Sequence, residues 1–193
     1  MKFSRDQMKT WTFYFLIVFL SIFFHELGHC IVAWAHGIRA IPTPAKEYSV
    51  DPIPDQLKYF VSAGGVIATF IASVTGIIFF AVKQTKSSLT FLAGVLASPL
   101  VYSILFIFKG RGHGDTEFQE TQSAMGFSYS GHFLDWALLL LCLAAVFLWI
   151  FIAKPNYKSL PKILLGALLT FAFIVFLQEA NNALFDPIFG VKP

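Results

Sequence analysis

The chain has 193 residues, of which 56% are hydrophobic, 17% aromatic and only 13% charged, whereas a soluble domain carries about 25% charged residues. A soluble protein of this length could not bury so much apolar surface, so the composition excludes an ordinary soluble domain and predicts that lipid covers much of the protein. The net charge of +3 is small, and we expect no binding to nucleic acid.

Five apolar stretches follow one another along the chain, and each is close to the ~20 residues that a helix needs to cross a bilayer. They cover residues 11–35, 59–82, 89–108, 134–153 and 163–185. This pattern predicts an all-α, multi-pass integral membrane protein, a polytopic bundle of about five transmembrane helices. We expect a single domain over 1–193, with a core at about 11–126 and C-terminal helices at 134–153 and 163–185. Cys30 and Cys142 are expected to be unpaired packing residues.

The first stretch contains HELGH, residues 25–29, which fits the pattern H-E-x-x-H. On a helix, His25 and His29 project from one face, one turn apart, and two such imidazoles can hold a single Zn²⁺. Glu26 follows at the angle needed to reach water at the metal, so we expect it to act as the general base. We expect Gly28 to leave room for a substrate. Ionisable groups in an apolar helix are costly, which favours a functional site over histidines that merely pair with neighbouring helices.

The segment 37–58 follows the HELGH helix, which is expected to end near His36 and Gly37. It contains four prolines, which exclude a regular helix. The sequence KEYSV, residues 46–50, predicts a short strand. An exposed edge of that strand could pair with an extended substrate; the alternative is a plain connecting loop.

The second apolar stretch opens with SAGGVIATF, residues 62–70, which is rich in small side chains. Gly64 and Ala68 lie four residues apart, a spacing that lets two membrane helices approach closely. We therefore predict that this part of the second helix packs against the HELGH helix.

A catalytic zinc site needs a third protein ligand and an open position. The polar segment 110–126, GRGHGDTEFQETQSAMG, lies on the same side of the membrane as HELGH if the spans alternate, and its His113, Asp115, Glu117 and Glu120 all have ligand chemistry. Asp115 is favoured, since neighbouring glycines let its backbone come close and its charge helps to balance Zn²⁺. Glu117 is the second candidate, and the other interpretation is a solvated acidic loop.

A zinc site inside a membrane needs water at its open position. We therefore predict a polar cavity on the side that carries segments 37–58 and 110–126. Gly64 and Gly65 are expected close to this cavity, with Glu179 and Asn182 as further lining.

These motifs together resemble the site-2 protease family of intramembrane zinc metalloproteases. The resemblance rests on FFHELGHCIVAWAHGI (23–38) in an apolar helix, on SAGGVIATF opening the next span, and on an aspartate in a later segment. It implies an enzyme that cleaves transmembrane protein substrates within the lipid bilayer. It also implies one Zn²⁺ per chain, held by His25, His29 and Asp115, with Glu26 as the base.

The sequence departs from that family where Gly65 replaces a usual proline and where the aspartate stands in GHGDTE. The membrane CaaX-type zinc proteases also use HExxH, with a downstream glutamate as third ligand, and DTEFQET can be interpreted that way with Glu117. A further alternative is a catalytically silent zinc-binding protein that binds membrane partners. An intact Glu26 favours an enzyme, because a pure binder needs no base beside its ligands.

Overall fold

The computed structural model describes residues 4–109, 117–128, 130–154 and 160–189. These ranges contain seven helices and one two-stranded sheet. In chain order they are α1 (Arg5–Ala35), β1 (Ala40–Pro42), β2 (Glu47–Ser49), α2 (Asp55–Lys83), α3 (Lys86–Val95), α4 (Ala97–Lys109), α5 (Glu117–Ala124), α6 (Phe133–Ala153) and α7 (Leu160–Phe189). Four helices are long and apolar enough to cross a membrane, and the bent pair α3–α4 makes a fifth candidate span. The predicted all-α membrane bundle is confirmed.

Helix α1 begins earlier than the apolar pattern indicated. Ser4 caps it, because the Ser4 hydroxyl accepts from the backbone of Gln7 and the Gln7 side chain accepts from the backbone of Ser4. This reciprocal pair satisfies two amides that a helix start leaves without partners. The helix ends as predicted at Ala35, where Gly37 takes the left-handed conformation with φ 75° that glycine adopts without strain.

The third predicted span is not one straight helix. Its halves α3 and α4 meet at Leu96 with a bend of 48°. Pro99 accounts for the break, because it has no N–H to donate and its ring would collide with the carbonyl group of Val95, four residues earlier. The Ser21 hydroxyl of α1 donates to that Val95 carbonyl oxygen at 3.4 Å. The bend therefore lies beside α1, four residues before His25.

Helices α1 and α2 cross at Gly28 and Gly64. A Cβ on either glycine would lie 2.8 Å from the carbonyl carbon of the other, which is closer than atoms can approach. The predicted packing of the two helices through small residues is confirmed. The expected role of Gly28 was wrong, because this glycine faces the backbone of α2 and makes the crossing possible.

The segment after α1 forms a hairpin. Strands β1 and β2 pair antiparallel, with Ile41 opposite Tyr48, so the predicted strand at KEYSV is confirmed and a second strand joins it. Three contacts tie the hairpin to the end of α7. The Tyr48 hydroxyl donates to Asp186 at 2.6 Å, Lys46 pairs with Asp186 at 3.2 Å, and the backbone of Ala45 donates to Asn181 at 3.3 Å.

Large apolar side chains cover the outside of the bundle. Phe108 and Phe151 are 83% and 80% exposed, which suits a surface in contact with lipid. Inside, one apolar cluster joins α1, α2, α3 and α6 around Ile17, Phe80 and Cys142, and another joins α1, the hairpin and α2 around Cys30. Both cysteines are free and buried, as predicted.

Candidate metal centre

The two HELGH histidines face one another on α1. Their rings meet edge to face with centroids 4.7 Å apart, and their Nε2 atoms are 3.1 Å apart. This contact follows from the four-residue spacing, which places both side chains on one face of the helix. His29 is buried and His25 is half-buried.

Glu117 completes a triangle with these nitrogens. Its Oε1 atom lies 3.1 Å from His25 Nε2 and 3.0 Å from His29 Nε2. Tetrahedral zinc with bonds of about 2.0–2.1 Å holds its ligand atoms about 3.3 Å apart. The three atoms are therefore spaced closely enough to share one small cation, and they form one of the groups of residues that could hold a metal ion.

Helix α2 contacts both histidine rings at their Nδ1 atoms, on the side away from Glu117. His29 Nδ1 lies 2.8 Å from the carbonyl oxygen of Val61 and 3.3 Å from the amide nitrogen of Gly65. A carbonyl oxygen only accepts, and the contact with Val61 is the shorter of the two. We therefore assign the proton of a neutral His29 to Nδ1, which donates to Val61. A neutral ring in this tautomer directs a lone pair at Nε2 toward Glu117. His25 Nδ1 lies 2.8 Å from the Thr69 hydroxyl.

Helix α5 carries Glu117 to the histidines, in a segment that the sequence indicated only as a polar loop. Glu117 and Glu120 are three residues apart and share a face of this helix. The Ser62 hydroxyl of α2 donates to Glu120, while Phe118 is buried with Val66, Leu134 and Leu138. These contacts with α2 and α6 fix α5 so that Glu117 points at HELGH.

A second carboxylate from outside α1 reaches the site. Glu47 of β2 and Glu26 each have a carboxylate oxygen within 4.8 Å of the other and of a ring nitrogen of His29. Glu26 is buried and Glu47 is half-buried. Glu47 was not among the site residues predicted from the sequence. The alternation of side chains along the predicted strand places Glu47 and Tyr48 on opposite faces of it. Only the position of the hairpin in the fold shows that the face carrying Glu47 meets Glu26.

A cavity of about 630 Å³ opens at these residues. It is lined by His25, Glu26, His29, Glu47 and Glu117, and further by Tyr102 and Lys109 of α4 and Gln178 of α7. The predicted polar cavity is thus present, with residues from both expected segments. On α7 it is lined by Gln178, so the expectation of Glu179 and Asn182 there was wrong. Gly65 lies against the His29 ring, where a Cβ would overlap the imidazole.

The hairpin that carries Glu47 has strong electrostatic contacts of its own. Burial of Tyr48, together with its bond to Asp186, raises the pKa of Tyr48 to about 12. Hydrogen bonds from the Arg39 guanidinium and the Arg39 amide lower the pKa of Asp51 to about 2. The hairpin is therefore held at its base as well as against α7.

Two candidate ligands, His113 and Asp115, lie outside the described residues. The prediction of Asp115 as third ligand stays a prediction. Of the other candidates, Glu117 meets the histidines and Glu120 is bonded to Ser62.

Comparison of the chain with known protein-family models, curated proteins and solved structures finds no match. The candidate site therefore rests on the chemistry and geometry of its own residues.

Proposed function

We propose that this chain is an intramembrane zinc metalloprotease, in which His25, His29 and Glu117 bind one Zn²⁺ and Glu26 is the general base. The observation that carries the proposal is the convergence of three ligand atoms at 3.0–3.1 Å inside an apolar bundle. Two histidines and a glutamate are a ligand set that catalytic zinc uses, with the fourth position left for water or substrate.

The contact between His29 and Glu117 supports a cation at this point. With the Nδ1 proton directed at Val61, a neutral His29 presents a lone pair to a carboxylate oxygen only 3.0 Å away. Two lone pairs at that distance repel unless a proton or a metal ion lies between them. Burying the nearby carboxylates costs free energy if their charge is uncompensated, and a divalent cation at this point would offset that cost.

Zinc at these ligands would supply Lewis acidity, which polarises a peptide carbonyl and lowers the pKa of water. Glu26 then takes a proton from the attacking water while the water oxygen bonds to the carbonyl carbon of the substrate. When the C–N bond breaks, Glu26 passes that proton to the leaving amine. Its place on the cavity wall, one residue from His25, gives it access to both groups.

The position of the cavity among membrane-spanning helices favours a transmembrane protein as substrate. A helical substrate hides its backbone in its own hydrogen bonds, so it must unwind before hydrolysis. We expect a preference for substrates with Gly or Pro near the cut, since these residues weaken helices. On β1, the Trp34 indole donates to the carbonyl oxygen of Ala40 at 2.8 Å, and Pro42 has no N–H to donate. The outer edge of β2 pairs with no further strand among the described residues, so β2 could hold the extended segment.

The role of Glu117 bears on the two resemblances. A glutamate as third ligand belongs to the CaaX-type pattern, whereas the site-2 pattern requires Asp115. The proposed chemistry is the same in both cases.

Substitution of Glu26 tests the proposal. Glu26→Gln should retain zinc, measured by elemental analysis of the detergent-purified protein, and should lose nearly all cleavage of a model transmembrane substrate. Glu179→Gln is the matched control, because Glu179 is exposed on α7, and it should retain both properties. Full cleavage by Glu26→Gln would refute the protease assignment. A wild-type protein that binds zinc but cleaves no substrate would favour the catalytically silent alternative.

A further inference from the structure

One face of α2 contacts both HELGH histidines. Val61, Gly65 and Thr69 are spaced by four residues, so they form a continuous strip along the helix. Val61 offers its carbonyl oxygen to His29, Gly65 provides the space for the His29 ring, and Thr69 meets His25. The strip therefore supports the side of each ring that faces away from Glu117.

The contact between Thr69 and His25 differs from the one at Val61, because a side chain makes it. Thr69 is half-buried and lines the cavity. Threonine in a helix often bonds only to its own backbone, one turn earlier. Here the hydroxyl lies 2.8 Å from a ring nitrogen on another helix, 44 residues away in sequence. A local role within α2 does not explain that contact.

A histidine that binds a metal through Nε2 carries its proton on Nδ1, and a partner at Nδ1 fixes the orientation of the ring. In the described residues, the Thr69 hydroxyl is an acceptor within hydrogen-bonding distance of His25 Nδ1. Without an acceptor there, the Nδ1–H group loses a bond in a largely apolar setting, and the ring loses one of the contacts that orient it.

We propose that Thr69 is a positioning residue, which accepts the His25 Nδ1–H bond and so holds His25 Nε2 toward the metal ion. The inference rests on the proposed metal centre and adds a residue to it. It assigns chemistry to the SAGGVIATF segment, where the small residues indicated packing alone. The strip on α2 thus has two functions, since it packs against α1 and orients the ligands.

Two substitutions separate the hydroxyl from the shape of the side chain. Thr69→Val keeps the volume and removes the acceptor, and it should weaken zinc binding by about 10- to 100-fold. Thr69→Ser keeps the acceptor and should bind zinc almost as tightly as the wild type. Zinc dissociation constants are measured by competition with a chromogenic chelator, and the absorption spectrum of the Co²⁺-substituted protein reports the ligand geometry.

Ser73→Ala is the matched control. Ser73 lies four residues beyond Thr69 on α2, is fully buried, and its hydroxyl has no hydrogen-bond partner among the described residues. Its removal should leave zinc affinity and the Co²⁺ spectrum unchanged. If Thr69→Val binds zinc as tightly as the wild type, or if Thr69→Ser and Thr69→Val lose affinity equally, the positioning role is refuted.

These outcomes are distinct from failure of the proposed function. A wild-type protein that binds no zinc overturns both ideas together. A different result would be a wild-type protein that binds zinc but cleaves nothing. If Thr69→Val weakens zinc binding in that case, the protease assignment alone is overturned and the role of Thr69 is supported.

Discussion

The backbones of Gly28 and Gly64 are in direct contact where α1 crosses α2. Gly28 precedes His29 in sequence, and Gly64 precedes Gly65, which packs on the His29 ring. The separation of the two helices at this crossing therefore sets the distances from His29 to its partners on α2. A change at the crossing should affect the proposed metal centre even though neither glycine is one of its proposed ligands.

We predict that Gly64→Ala lowers both stability and zinc affinity. The added Cβ meets the backbone of Gly28, which cannot move without shifting α1, and overpacking of this kind costs about 1–3 kcal/mol. Thermal unfolding in detergent should show a lower Tm, and chelator competition should show weaker binding. Gly166→Ala is the control, because among the described residues its Cβ would meet only the end of the Trp11 ring, at 3.3 Å. Equal Tm values for the two variants would contradict the role of the crossing.

We predict that Glu117→Ala lowers bound zinc more than Asp115→Ala does. The Glu117 carboxylate touches both ring nitrogens, and loss of one of three ligands removes most of the affinity of such a site. Elemental analysis of the two variants, prepared in parallel with Glu179→Ala, measures the difference. Loss of the metal in Asp115→Ala together with full occupancy in Glu117→Ala would show that the aspartate is the ligand, as the site-2 resemblance implies.

We predict that Tyr48 ionises at about pH 12, with Asp186 responsible for part of the shift. The tyrosinate absorbance lost in Tyr48→Phe identifies this group. Asp186→Asn should lower the pKa of Tyr48 toward the usual tyrosine value of about 10. The pKa should stay above that value, because burial of Tyr48 is the larger cause of its shift. An unchanged pKa in Asp186→Asn would mean that the link between the hairpin and α7 is absent in solution.

The sign of the stability effect follows from the direction of that shift. The folded protein holds the Tyr48 proton more tightly than the unfolded chain does. The resulting stabilisation is complete below about pH 10 and is lost as the pH rises through about 12. The hairpin that carries Glu47 should therefore loosen at alkaline pH before the bundle does.

The local features of this protein could be predicted from its sequence. The apolar stretches predicted the spans, because a helix in lipid must satisfy its own backbone and expose apolar side chains all round. Prolines predicted the interruption after α1, and the four-residue spacing predicted that His25 and His29 share a face. Each of these features depends on residues close together in the chain.

Only the tertiary structure decided which distant residues meet the histidines. The positions of Glu117, Glu47 and Thr69 depend on how α5, β2 and α2 pack against α1. Neither the helical segment 117–124 nor the bend at Leu96 was apparent from hydropathy. The physical reason is that periodicity defines the faces of an element, whereas contacts such as Gly28 with Gly64 or Ser62 with Glu120 define how those faces are placed together. Sequence thus determined the membrane bundle and the shared face of the HELGH histidines, and packing between helices determined which side chains surround them.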